Sequence, residues 1–212
     1  MVEGLIMSND KNTYVPVLAK EIPTLENGGV VQNDDGTTSM TWNLQQGVKW
    51  HDGEEFTSAD VCFTLDFIQS EAGQAVYNQS DYMGITECQM PDPYTVIFVW
   101  EKPAGNYVTL FDTILPKHVL EGKDVLTYDA YNRSPLGTGP FKFAEWKSGE
   151  YVRVVKNENY WRGPDYPKLD EIIFSFISDP NTRLNGLKAG EYDLGQILPN
   201  QIKEVEGLEG YK

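Results

Sequence analysis

The groups in this chain that could do chemistry are two histidines, two cysteines and a surplus of carboxylates. His51 and His118 lack the His-x-x-x-His spacing that sets two imidazoles on one helical face, so no metal site is expected within the chain. His51 falls in the turn His51-Asp52-Gly53 and reads as a hydrogen-bonding turn residue. Cys62 and Cys88 are too few for a four-cysteine zinc motif or a disulfide scaffold. Glu54-Glu55 and Asp170-Glu171 are sequence neighbours that do not share a face, so neither pair reads as a general acid and base. Gly137-Thr138-Gly139 lacks the third glycine and following helix of a dinucleotide loop, and there is no Gly-x-Ser-x-Gly elbow. No catalytic constellation emerges, and neither a cofactor nor a metal is expected.

The composition narrows the function classes further. The net charge is −15, from 32 acidic and 17 basic residues. That balance opposes a phosphate-binding face and docking on anionic lipid, so no nucleic acid partner is expected. An aromatic content of 12% implies a packed core. No apolar run approaches the roughly 20 residues that span a bilayer. Met1-Val2-Glu3-Gly4-Leu5-Ile6 does not read as the basic and apolar regions of a secretory signal.

The patterning then predicts the elements. Thr38, Met40, Trp42 and Leu44 alternate with polar residues, as in a strand with one buried face. Thr57 and Asp60 read as a helix start, and Val61, Cys62, Leu65 and Ile68 fall on one stripe after it. Residues 70–84 are polar and loop-like, carrying Tyr77 and Tyr82. Tyr94 to Trp100 reads as a strand covered on both faces. Residues 103–121 read as short helical turns, and the Gly/Pro cluster from Ser134 to Pro140 as a boundary. Phe141 to Trp146 and Tyr151 to Lys156 form a predicted hairpin, and Ile172 to Ile177 another strand. Asp179-Pro180 opens a helix that Gly190 closes, and Tyr192-Asp193-Leu194 reads as one more short strand. Without regular βαβ alternation, the fold class is α/β in the mixed α+β sense, with mixed sheets and packed helices.

Several segments stand together in a recognisable order. They are Asp35-Gly36-Thr37-Thr38 leading through Trp42-Asn43-Leu44 to Gly47-Val48-Lys49-Trp50-His51-Asp52-Gly53; Phe56-Thr57-Ser58-Ala59-Asp60-Val61; Asp92-Pro93-Tyr94-Thr95-Val96; Gly137-Thr138-Gly139-Pro140-Phe141; Asn157-Glu158-Asn159-Tyr160-Trp161; and Leu187-Lys188-Ala189-Gly190-Glu191-Tyr192-Asp193. In this order the chain resembles family 5 of the extracellular solute-binding proteins, which includes oligopeptide, dipeptide and nickel receptors. Each segment also has a turn or cap reading, so they serve as fold markers rather than ligand contacts.

The resemblance implies a periplasmic-binding-protein-like lobe, one of two that hold ligand in the cleft between them. Residues 1–135 would be the peripheral subdomain of the first lobe and residues 136–212 part of its central subdomain. The family's first strand would lie upstream of Met1 and its second lobe after Lys212, so this piece is expected to bind ligand weakly or not at all by itself. The implied function is the substrate-binding component of a bacterial ABC importer. It would capture a peptide-like or other small solute outside the cytoplasm, in the periplasm or lipid-anchored at the cell surface, and deliver it to ABC permease subunits. The full-length protein would be a monomer, peripheral to the membrane. A solute-sensing regulatory module on the same fold is the alternative, and an enzyme is the least supported reading.

The resemblance also nominates residues. Tyr77 falls where peptide-binding members place a ligand-facing tyrosine, and a phenol gives a cleft apolar area with one directed hydrogen bond. Phe111 and Asp112 precede Ile114-Leu115-Pro116, a segment that approaches the cleft in some members, where Asp112 would meet a positive group of the ligand. A surface tyrosine and an ordinary helix-end carboxylate are the plain alternatives. Cys62 and Cys88 would be a disulfide in an exported protein or two buried thiols, and the residues leave both open.

Overall fold

Alternation writes the main sheet. In strand β4 (Thr38–Asn43), Thr38, Met40 and Trp42 are buried and their neighbours half-buried. Strand β6 (Thr95–Trp100) pairs with it antiparallel, setting Met40 opposite Phe98 and Trp42 opposite Val96. β3 (Val30–Gln32) and β5 (Ile85–Asp92) complete an antiparallel sheet in the order β3-β4-β6-β5. Helix α1 (Ser58–Gln69) turns Val61, Cys62, Leu65 and Ile68 into the core. Burying the Phe98 ring there stabilises by about 3 kcal/mol.

This computed structural model describes residues 1–103, 105–206 and 208. They divide into two compact units, Met1–Ala144 with Val154–Ile172, and Glu145–Arg153 with Ile173–Lys212. The first unit also holds a two-stranded ladder of β1 (Ile6–Ser8) and β2 (Tyr14–Pro16), and the short helices α2 (Lys117–Leu120) and α3 (Asp129–Asn132). A three-stranded sheet runs in the order β7 (Phe141–Lys147), β8 (Tyr151–Lys156) and β9 (Glu171–Ser175). The second unit carries α4 (Pro180–Ala189) and α5 (Ile202–Val205).

Local chemistry sets the ends of α1 and α4. Asp60 accepts the Thr57 backbone N–H at 2.9 Å, holding the first turn of α1. Asp179 accepts Thr182 N–H at 2.7 Å, Pro180 occupies the first turn, and Gly190 ends α4 in the left-handed conformation at φ 70°.

Three expectations need correction. β5 occupies residues to which the patterning assigned no element beyond a lead-in at Pro91-Asp92, because it is a polar edge strand broken by two register shifts. β6 is not covered on both faces: Val96, Phe98 and Trp100 are buried, while Thr95, Ile97 and Val99 are only half-buried. Tyr192-Asp193-Leu194 is not a strand, since no ladder forms there and Leu194 is 92% exposed.

Candidate functional site

The segment after α1 is held by side-chain amides. Gln69 Nε2 donates to the Tyr82 and Ile85 carbonyls at 2.8 and 2.9 Å. Gln79 Nε2 donates to the Ile68 and Ser70 carbonyls at 2.5 and 2.6 Å. Short 3₁₀ turns at Gly73–Ala75 and Gln79–Asp81 complete the path. Tyr77 lies between them, its N–H bonded to Gly73 O at 2.9 Å and its ring edge-on to Phe67 with centroids 6.3 Å apart. The ring is half-buried, and burial raises the phenol pKa, with the negative charge of Asp112 adding to the rise.

Phe111 has a left-handed backbone at φ 57°, uncommon for a residue with a bulky side chain. Its ring is 2% exposed, stacked on Phe98 at 4.7 Å and edge-on to Tyr82 at 5.2 Å. Its N–H donates to the Tyr82 hydroxyl at 3.1 Å, and its carbonyl accepts Leu5 N–H at 2.9 Å. Gly4 lies so close that a Cβ there would collide with the Phe111 carbonyl and the Asp112 backbone. The side chain of Phe111 is thus core, and its backbone turn leaves Asp112 exposed.

Two more tyrosines belong to this neighbourhood. Burial pushes the Tyr82 pKa up to about 12, with the charges of Asp112, Tyr77 and Asp81 adding to it. Tyr131 is pushed up to about 12 by burial, with Tyr77 contributing. Its hydroxyl sits 3.5 Å from the Leu136 carbonyl. The charge of Asp112 thus reaches Tyr77 and Tyr82, and Tyr82 meets the residue before Asp112 through the Phe111 N–H. Tyr131 lies 54 residues beyond Tyr77, and no local sequence signal links the two. Neutral phenols beside an exposed carboxylate can hold a polar or cationic group by hydrogen bonds and charge. They supply no nucleophile poised for reaction.

The fold markers turn out to be anchors. Glu3, also unremarked in the sequence, accepts hydrogen bonds from Tyr160 Oη at 2.7 Å, Trp161 Nε1 at 3.1 Å and Thr138 Oγ1 at 3.1 Å. The Tyr160 pKa is raised by burial and by its bond to Glu3. His51 Nδ1 accepts Gly137 N–H at 3.2 Å, so Nε2 carries the proton toward the Gly139 carbonyl at 2.9 Å. Burial lowers the His51 pKa. Both ring nitrogens are engaged, as expected of a turn residue. His118 Nε2 lies 2.8 Å from Asp52 Oδ2. Asp60 accepts Lys117 N–H at 3.0 Å as well as the Thr57 N–H, and burial raises its pKa.

Cys62 and Cys88 are joined in a disulfide, their Cα atoms 5.7 Å apart and 26 residues apart in sequence. Constraining a loop of that length stabilises by about 3 kcal/mol on the chain-entropy account. Elsewhere, Glu21, Asn27, Gly28, Thr41 and Asn43 line a shallow polar depression that includes none of the nominated residues. Among the described residues, no group of His, Cys, Asp and Glu could hold a metal ion, and no helix is long and apolar enough to cross a membrane.

Comparison with known proteins adds an independent line. The family model described as bacterial extracellular solute-binding proteins, family 5 Middle, matches residues 13–212. The oligopeptide-binding protein AppA of Bacillus subtilis is 33% identical over 184 residues, an alignment covering 84% of this chain and 33% of AppA. The solved structure of that AppA in complex with a nonapeptide superposes with a TM-score of 0.82 at 28% identity, over 98% of this chain and 40% of AppA. NikZ from Campylobacter jejuni in complex with Ni(L-His) gives a TM-score of 0.83 at 28% identity, over 98% of this chain and 40% of NikZ. The chain thus spans about a third of the length of the curated relative it matches.

Proposed function

The chain belongs to family 5 of the bacterial extracellular solute-binding proteins, and on that premise we propose that the protein is the substrate-binding component of an ABC importer. It captures a small solute, of peptide-like chemistry, outside the cytoplasm and delivers it to permease subunits. The observation that carries this reading is the family match over residues 13–212. The likeness to AppA, seen with a nonapeptide, supports a peptide over the metal chelate seen in NikZ, because AppA is also a relative at 33% identity. A disulfide between Cys62 and Cys88 agrees with an oxidising compartment, the periplasm or the outer surface of a membrane to which a lipid holds the protein.

Residues 1–135 act as the peripheral subdomain of the first lobe and residues 136–212 as part of its central subdomain. Tyr77 and Asp112 face the ligand: the phenol offers apolar area and a hydrogen bond, the carboxylate meets an ammonium or guanidinium. Phe111 acts through its backbone turn, which directs Asp112, rather than by contact of its buried ring. Closure of a second lobe over these groups shifts the population toward a ligand-holding state. The full-length protein works as a monomer, without catalysis and without a resident cofactor.

Calorimetry of the full-length protein against panels of peptides, nickel chelates and oligosaccharides tests the reading. Peptide binding, weakened about tenfold or more by Tyr77→Ala, is expected. Asp112→Asn is expected to weaken cationic peptides more than neutral ones. Binding of chelates or sugars with no peptide binding overturns the substrate class. Silence across all three panels removes the support for capture.

A further inference from the structure

The Cys62–Cys88 disulfide encloses the loop that bears Tyr77. Cys62 is buried on α1 and Cys88 lies half-buried on β5, the edge strand of the four-stranded sheet. The covalent ring they close contains the end of α1, the whole 70–84 segment and the start of β5. Tyr77 sits inside that ring, its side chain resting on Phe67, which also belongs to it.

The noncovalent hold on this edge is a bulged ladder to β6 and the Gln69 amide, which donates to the Tyr82 and Ile85 carbonyls. Register shifts interrupt β5 on both sides of Cys88, between Ile85 and Glu87 and between Gln89 and Asp92. At each shift the ladder is locally broken, so the covalent bond at Cys88 lies between two breaks. Cys88 pairs directly with Phe98, whose ring stacks on Phe111, the residue that turns Asp112 outward. The bond is thus linked to both arms of the proposed site: it closes the loop that bears Tyr77, and Cys88 faces the strand residue that stacks on Phe111.

We propose that Cys62 and Cys88 are positioning residues for ligand capture: their bond fixes the base of the 70–84 loop, so that Tyr77 is presented already ordered. The inference rests on the reading of Tyr77 as ligand-facing. A loop ordered before binding spares the complex the entropy of ordering it, whereas a freed loop charges that cost against affinity. Ligand and bond are then linked reciprocally, so bound ligand shifts the thiol–disulfide equilibrium toward the disulfide.

Hydrogen exchange on the full-length protein reads the structural half without any ligand. The comparison is between the oxidised protein and a Cys62→Ala/Cys88→Ala variant. Amides 70–84 are expected to exchange about tenfold faster or more in the variant, with β4 amides unchanged. The wild type treated with dithiothreitol, which reduces the bond to two thiols as it becomes a cyclic disulfide, gives the same readout should the variant not fold. Equal exchange of 70–84 with and without the bond overturns the proposal. Calorimetry with a nonapeptide reads the other half. Affinity is expected to fall at least about fivefold without the bond, and less than additively when Tyr77→Ala is also present. Unchanged affinity beside faster exchange overturns the role in capture. A nonapeptide that binds wild type and Tyr77→Ala alike sinks the ligand reading of Tyr77 instead, a result that the exchange arm keeps distinct.

Discussion

The two compact units are built by different means. Every residue of the hydrophobic core cluster, from Leu5 to Ile114, lies in the first unit, with Trp42, Phe98 and Trp100 at 2% exposure or less. In the second unit Leu184 and Leu187 are the buried apolar side chains of α4, while Trp146, Ile173, Phe174 and Phe176 are 42–52% exposed. Polar ties link its segments. Arg183 Nη1 donates to the Ile177 carbonyl at 2.7 Å, Gln201 Nε2 to Asn181 Oδ1 at 3.1 Å, and Lys188 pairs with Glu204 at 2.6 Å. The difference teaches that well-capped helices and a strand of strong β-formers do not make a core unless their apolar faces meet.

Mutation can break or sharpen that contrast. The largest effect belongs to Phe98→Ala, which empties the stack with Phe111 and is expected to cost about 3–5 kcal/mol in denaturant unfolding of the first unit. A cost below about 1 kcal/mol would erase the distinction between the units. Glu3→Ala comes next, at about 2–3 kcal/mol, since it strands the donors of Thr138, Tyr160 and Trp161. Glu3→Gln, which keeps one acceptor oxygen, is expected to recover part of the loss in the same unfolding curves.

A smaller effect is pH-dependent. Burial holds His51 neutral in the folded first unit, with its folded pKa below the unfolded value. Once the pH falls below about 6.5, the unfolded chain takes up a proton that the folded one resists, so stability declines on the acid side. Melting temperatures between about pH 8 and pH 5 should fall toward acid in the wild type, with a shallower slope in His51→Gln. A parallel slope in both proteins would remove His51 as the cause. The smallest effect is expected from Phe174→Ser in the second unit, within about 0.5 kcal/mol, because half of that ring already meets solvent. A loss as large as that of Phe98→Ala would show a core in the second unit.

Legibility in the sequence followed the range of the forces. The alternation of β4, the Thr57–Asp60 start of α1 and the Asp179, Pro180 and Gly190 boundaries of α4 are written within a few residues and read correctly. β5 escaped because its residues are polar, Pro91 interrupts them, and only pairing with β6 makes them a strand. Tyr192-Asp193-Leu194 failed in the opposite sense, since a favourable pattern found no strand to pair with. The site divides the same way. Tyr77 and Asp112 were nominated by resemblance, but the buried ring of Phe111 and the proximity of Tyr131 depend on contacts between distant segments. The two cysteines were compatible with a bond or with free thiols until the Cα separation was known.

The Glu3 clasp has a consequence for the timetable of folding. Its three donors follow it by 135 to 158 positions, so the carboxylate has nothing to grip until those residues have been made. The clasp can be completed only after Trp161 has left the ribosome. Closure over so long a stretch is slow, so this latch engages after the residues of the core, Leu5 to Ile114, have all been made.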